Sequence, residues 1–492
     1  MLLRFPGPSI RLSKLKLLVN PFLIRGVFYM NTEKERMLFE KCRVSKAIFT
    51  LAFPTVIGQI ILVIYNMADT FFVGLTGNDA MLTAVTVCMP AFMFLSAIAN
   101  LFGVGGASVI SRAMGAGDRN RLKSASSFSF WGCIFVTLIY SLLAFVLRNP
   151  FVDVLGGLNP EVHKNAIEYL LVTVISGGVF TSLSVFMSHL IRAEGRSVHA
   201  SAGIALGGIM NILLDPLFMF VILPKGKEAL GAAIATTLSN VISLIYFIVI
   251  LLIIRKKTCL TFSFDFKMFK ENVPKDIFTA GTPACVMTLF ENVSYAVLDN
   301  LMSVFGITYQ AGIGVAKKVN MLAHCIVRGI AQGSLPLIGY NYAAGNYSRM
   351  KKAITYSSFL AVLVASICMV VSLIFAKPLI GIFIHSSSDS IMFGSTFLRI
   401  LCIGGPFSAM AYTVITFFQA TGEGTKSFIL AILRKGIIDI PLMFILNTFL
   451  PIYGIVMATP IADAICCVAA CLIFTTYLRK LTLNTHKLAV EC

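Results

Sequence analysis

The sequence predicts an all-α integral membrane protein: twelve transmembrane helices in two six-helix lobes, related by a pseudo-two-fold axis along the membrane normal. Three observations predict it. Long apolar runs recur from residue 46 to residue 477, Lys and Arg crowd onto alternate connections, and the second half of the chain repeats landmarks of the first.

Of the 492 residues, 57% are hydrophobic and only 13% charged, with a mean hydropathy of +0.87. Such a balance implies lipid as the solvent. Each run is long enough to cross a hydrocarbon core of ~30 Å as a helix. Lipid offers no partner to an exposed N–H or C=O, so a span is a helix or part of a closed barrel, and continuous runs favour helices. The spans read as 46–72, 81–111, 124–147, 166–191, 199–222 and 230–254, then 277–304, 311–338, 353–376, 394–418, 427–449 and 452–477. This divides the chain into a leader (1–45), an N-lobe (46–255), an inter-lobe loop (256–276), a C-lobe (277–480) and a tail (481–492).

With the N-terminus inside, the inner connections hold sixteen Lys and Arg and the outer ones five: Arg148, Lys164, Lys225, Lys227 and Lys377. The positive-inside rule then places both termini in the cytoplasm of a plasma membrane, read here as the inner membrane of a bacterium. The net charge of +18 thus reflects topology, since no basic stripe interleaved with aromatics suggests nucleic acid. Residues 1–29 are basic but lack the long apolar stretch and cleavage site of a signal peptide, and Met30 is expected to be the true start. Most cysteines lie inside apolar runs and none in an outer connection, so no disulfide framework is expected.

Residues 112–125 (RAMGAGDRNRLKSA) resemble 340–353 (YNYAAGNYSRMKKA) at a shift of 228. Pro54 meets Pro283, IRAEG meets FQATG, Pro216 meets Pro441 and GAAIAT meets GIVMAT, all in order. Six spans per half is an even number, so both halves enter the membrane in the same sense and a central cleft lies between them.

Ionisable groups inside a span cost ~2.5–3.5 kcal/mol each and usually mark a pathway. The first span, PTVIGQIILVIYNMADTFFVG, carries Pro54 and Asp69, with Tyr65 and Asn66 one turn before the acid. A proline within a span invites a bend. The bland alternative for Asp69 is a solvated carboxylate near the outer helix end. In the fifth span, NILLDP sets Asn211 and Asp215 at i and i+4 on one helix face, and Pro216 loosens the turn. These are oxygen donors of the type a hard cation or a proton relay requires; the alternative is a polar pair between packed helices. Glu291 in the seventh span is the deeper of two acids there, ahead of Asp299. Arg328, Arg399, Lys317, Lys318, Arg434, Lys435, Asp439 and Asp463 complete the intramembrane charges, a set suited to structural ion pairs in the C-lobe. The histidines (His163, His189, His199, His324, His385, His486) have no close metal-ligand spacing. Neither a phosphate loop nor a nucleophile motif appears, so no transition-metal site, cofactor or enzymatic activity is expected.

YNMADTFFVG, SRAMGAGD, LIRAEGR and NILLDPLF together resemble the multidrug and toxic compound extrusion (MATE) family, nearest its DinF and MepA branch, over residues 46 to 480. The resemblance implies two lobes around a cleft that faces each side of the membrane alternately, exporting cationic and amphipathic compounds against a sodium or proton flux. It also implies that Asp69, Asn211 and Asp215 form the N-lobe ion-coupling site, completed by Thr236 of the sixth span, or Thr237 in a shifted register, and joined by Tyr169. Glu291 resembles a seventh-span carboxylate that the NorM branch uses for a second cation site. That branch adds a tenth-span aspartate, where this chain has Arg399 and no acid, so a salt bridge competes with the site reading.

The function expected is a secondary active antiporter acting as a monomer among membrane lipids, with small cationic or amphipathic drugs as substrates and Na+ or H+ as coupling ion. Two rivals stand beside it: a flippase of lipid-linked saccharides, which would have more spans and a cationic cavity, and an uncoupled channel or scaffold, which would not accumulate substrate against a gradient.

Overall fold

In the computed structural model, which describes residues 35, 37–155, 159–270, 272–384 and 388–490, the chain is helical and no strand occurs among those residues. Met1, Met30 and His385 lie outside them, and with them the expected start site. The first six helices of spanning length are α1 (Val44–Gly74), α2 (Asp79–Ala116), α3 (Arg119–Val146), α4 (Pro160–Ser176 and Gly178–Ala193), α5 (Ser197–Ile222) and α6 (Glu228–Ile253). The second six are α7 (Val273–Ser303), α8 (Ile307–Ala343), α9 (Tyr347–Gly381), α10 (Ser388–Ile403 and Gly405–Thr421), α11 (424–449) and α12 (Tyr453–Val490).

Eight of the twelve are apolar enough to span as single helices, and α4 and α10 qualify as bent pairs, among the described residues. The remaining two, α7 and α11, are long enough but carry Glu291 and Asp299, and Arg434, Lys435 and Asp439, which lower their hydropathy. Charge, not length, sets them apart.

The repeat has a local cause. Gly117 and Gly345 end α2 and α8 at φ +71° and +74°, a conformation open to glycine. Asp118 Oδ1 then accepts the Arg121 N–H at 3.0 Å and Asn346 Oδ1 the Arg349 N–H at 3.2 Å, capping α3 and α9. The fourth helix of each half bends at an equivalent point: α4 by 50° at Gly177 and α10 by 43° at Gly404. In α10, Pro406 supplies no N–H to hold the turn together.

Several bounds differ from the sequence reading. The cap at Asp118 starts α3 at Arg119 instead of 124, a short helix Arg148–Val154 follows it, and α12 continues beyond 480 into the expected tail. Pro54 lies inside α1, which is helical without a break from Val44 to Gly74. The helix of α5 turns π-helical after Pro216, over Leu217–Ile222.

The lobes meet backbone to backbone in the halves of the helices nearest the chain termini. A methyl at Gly281 of α7 would stand 1.9 Å from the Leu101 carbonyl oxygen of α2, and one at Gly333 of α8 would stand 2.5 Å from Cα of Ala52 of α1. Small residues permit this approach, as in other membrane helix pairs. Gly281→Ala is therefore expected to push α2 and α7 apart and lower the melting temperature in detergent by several degrees. Gly314→Ala, with nothing within 4 Å of the new methyl, should leave it unlowered; equal melting of the two variants would refute the close contact.

Beneath this seam runs the turn Met37–Lys41. Phe39 is fully buried, its ring against Gly195 of the N-lobe and 5.1 Å from the Tyr340 ring of the C-lobe. Arg349 Nε donates to the Phe39 carbonyl at 2.7 Å, Tyr340 donates to Glu40 at 2.8 Å, and Arg196 of the N-lobe holds Glu35 at 2.9 Å.

Candidate cation-binding site

Asp69 projects from the outer third of α1, and Asn211 and Asp215 from α5, which packs along α1. All three side chains are buried, Asp215 completely and Asp69 to 5% exposure, which removes the solvated helix-end alternative for Asp69. The i, i+4 spacing acts as read from the sequence: Asn211 Nδ2 donates to Asp215 Oδ1 at 3.2 Å. The same amide donates to Thr236 Oγ1 of α6 at 3.3 Å. Thr237 points away and donates to the Val172 carbonyl of α4, which places Thr236 and not Thr237 at the cluster.

Tyr169 of α4 is buried and feels the charges of both Asp69 and Asp215, as does Tyr65 of α1. The five residues drawn from the sequence thus converge within one lobe. Behind Thr236, Asn240 donates to the Thr236 carbonyl at 2.9 Å and accepts from Ser184 at 3.1 Å. The sequence reading missed this pair, although an amide four residues after Thr236 in an apolar helix is the same kind of signal.

The decisive feature is what the donors leave over. Asp69 Oδ1, Asn211 Oδ1 and Asp215 Oδ2 are buried with no hydrogen-bond partner in the protein. Orphaned acceptors of this kind cost ~1–3 kcal/mol each, more when charged. Lys318 of α8 lies within electrostatic reach of Asp69 but makes no ion pair with it. One oxygen from each of two carboxylates and an amide oxygen, all without donors, suit a monovalent cation or a proton, in a donor set of hard oxygens.

These residues do not line the cleft between the lobes. That cleft, about 160 Å³, is walled by Tyr65, Asn66 and Asn240 from the N-lobe and by Glu291, Tyr295 and Arg328 from the C-lobe. Tyr65 and Asn240 therefore separate the buried cluster from the cleft. Glu291 does face the cleft, but Arg328 of α8 holds both its oxygens, at 3.0 and 2.8 Å. The partner is not Arg399 of α10, whose Nε donates to the Leu373 carbonyl at 3.2 Å. The sequence named Arg328 without being able to pair it.

Deeper in the C-lobe, Arg434 donates to Asp463 at 2.7 Å and to Ser408 at 2.7 Å, and Lys435 donates to Asp439 at 2.9 Å. Its carboxylates Glu291, Asp439 and Asp463 are each paired with a cation, where Asp69 and Asp215 of the N-lobe are not.

The MatE family model matches this chain twice, over residues 54–217 and again over 283–445. The chain is a MATE transporter. Both matches fall on corresponding stretches of the two halves, so the duplication read from the landmarks is a duplication of the family unit. Among the similar proteins is the multidrug export protein MepA of Staphylococcus saprophyticus, 30% identical over 458 residues, covering 93% of this chain and 99% of the relative. MepA of Staphylococcus aureus strain MSSA476 is 29% identical with the same coverage. An outward-facing multidrug resistance MATE family transporter of the MOP superfamily superposes with a TM-score of 0.82 at 25% identity, over 92% of this chain and 99% of that one. A MATE protein crystallised in a straight conformation shares the fold at a TM-score of 0.83 and 23% identity, over the same fractions. The MATE chain is thus a multi-pass membrane transporter and not an enzyme.

Proposed function

We propose that this protein is a secondary active multidrug efflux antiporter, exporting cationic and amphipathic compounds in exchange for Na+ or H+ by alternating access. The observation that carries the reading is the trio of unpartnered oxygens on Asp69, Asn211 and Asp215, which a coupling ion would satisfy. The names of the similar MepA proteins, multidrug export proteins, support the substrate class. The aromatic and Met side chains of the cleft, Tyr65, Phe92, Met93, Tyr295 and Met321, suit flat apolar cations. The seal at the end bearing the termini and the cleft beyond it correspond to an outward-facing state, with both termini in the cytoplasm and the chain in a bacterial inner membrane.

An ion drives the cycle only if it binds the outward and inward states unequally. Burial of the cluster inside one lobe, behind Tyr65 on α1, means that occupancy is transmitted to the cleft through α1, and Pro54 offers that helix a second, bent shape. The test is ethidium efflux from proteoliposomes holding the purified full chain, with sodium and pH gradients imposed separately. Efflux driven by one of the two gradients and abolished by its ionophore is expected. Efflux indifferent to both refutes the antiport reading.

A further inference from the structure

The C-lobe carries the frame of the N-lobe cluster with its vacancies filled by the chain itself. YNMAD (65–69) of α1 has its counterpart in YAVLD (295–299) of α7, pairing Tyr65 with Tyr295 and Asp69 with Asp299. Lys435 and Asp439 repeat the i, i+4 spacing of Asn211 and Asp215 just ahead of the matching proline, one residue farther from Pro441 than Asp215 is from Pro216, and Thr459 matches Thr236. The geometry follows the correspondence. Asp439 Oδ1 accepts from Thr459 at 3.0 Å, where Thr236 of the N-lobe instead accepts from Asn211, while Oδ2 accepts from Ser294 at 2.6 Å and from the Lys435 ammonium at 2.9 Å. Asp299 is paired with Lys317. The two ammonium groups lie over the Tyr295 ring, 5.7 and 5.4 Å from its centre. Asp439 is left with no unpartnered oxygen, whereas Asp69 and Asp215 each keep one.

We propose that Asp439, Thr459 and Ser294 form a second monovalent-cation site, related by the repeat to the N-lobe site, whose occupant is the tethered ammonium of Lys435. A tethered ligand competes at a high effective concentration, so a free ion does not displace it. The C-lobe then stays permanently loaded, and only the N-lobe exchanges its ion during transport. This rests on the reading of the N-lobe cluster as the ion site. A merely structural salt bridge would also be lost on removing Lys435, but nothing in that account lets a free cation refill the gap.

The experiment removes the tether and offers a mobile substitute. All arms carry Asp215→Asn, so that the N-lobe does not respond, and the readout is the melting temperature of the detergent-purified full chain. Lys435→Ala is titrated with methylammonium, then with sodium. The expected result is a melting temperature lowered by Lys435→Ala and raised again by several degrees, saturably, with methylammonium. The parent with Lys435 intact should show no such response, and adding Asp439→Asn should abolish it. Lys435→Arg keeps a tethered cation and should melt near the parent without responding. Lys435→Asn, which copies the N-lobe pairing of amide and carboxylate, is the second variant if the alanine is poorly folded. Melting that ignores methylammonium in both variants, failure of methylammonium to recover folded protein, or a response that survives Asp439→Asn would overturn the proposal. Failure of the N-lobe reading would show separately, as ion titrations in which wild type and Asp215→Asn coincide.

Discussion

Asp215→Asn abolishes ion-driven efflux while leaving the protein folded: that is the expected result, and Asp69→Asn should do the same. Asparagine keeps the shape of the aspartate and an oxygen to accept from Asn211 Nδ2, now at 3.2 Å. What it loses is the negative charge on a fully buried group. A unit charge 4 Å from a monovalent ion is worth ~4 kcal/mol at an effective dielectric of 20, or roughly a thousandfold in ion affinity. Folding should suffer little, because removing one of two neighbouring buried carboxylates relieves their repulsion. Size-exclusion profiles and ethidium efflux in proteoliposomes measure the two effects. Wild-type efflux in both variants would reject the site.

Asp463→Leu should have the largest effect on stability. Arg434 and Asp463 are almost wholly buried, 1% and 2% exposed, and the guanidinium also donates to Ser408 and lies 4.7 Å over the Tyr412 ring. Removing the acid leaves a buried cation without its counter-charge, at a cost of ~3–5 kcal/mol. Replacing both, Arg434→Met with Asp463→Leu, removes the unmatched charge and should recover much of the loss. Melting in detergent checks this: equal losses in the single and double variants would mean that the pair contributes nothing as a pair.

The fold was legible because spanning length, the distribution of Lys and Arg and the Gly-Asp or Gly-Asn caps at residues 117–118 and 345–346 are local properties of the chain. The helix breaks at Gly177 and Gly404 went unread, although each falls in a Gly-Gly pair, because two glycines in an apolar run do not by themselves say whether the helix continues. Asn211 and Asp215 were legible from i, i+4 spacing alone. Register across a loop was not, which is why Thr236 and Thr237 separated only when α6 was seen against α4 and α5. Nor did spacing reveal that Glu291 belongs to Arg328, Lys435 to Asp439 or Arg434 to Asp463. Those pairings depend on which helices are neighbours and on how each is rotated, except for Lys435 and Asp439, whose four-residue spacing was open to the same reasoning that found Asn211 and Asp215.

Phe39 sits as a wedge between Gly195 and Tyr340, with Arg349 gripping its carbonyl. In the alternating-access cycle proposed above, parting of the lobes at that end would require the wedge to be drawn out and its carbonyl released, which would make the leader a moving component. A purification handle or fluorescent protein fused just upstream of Met37 would hang on that component and is expected to slow efflux. A small fluorophore placed at residue 37 would instead report each opening as it happens.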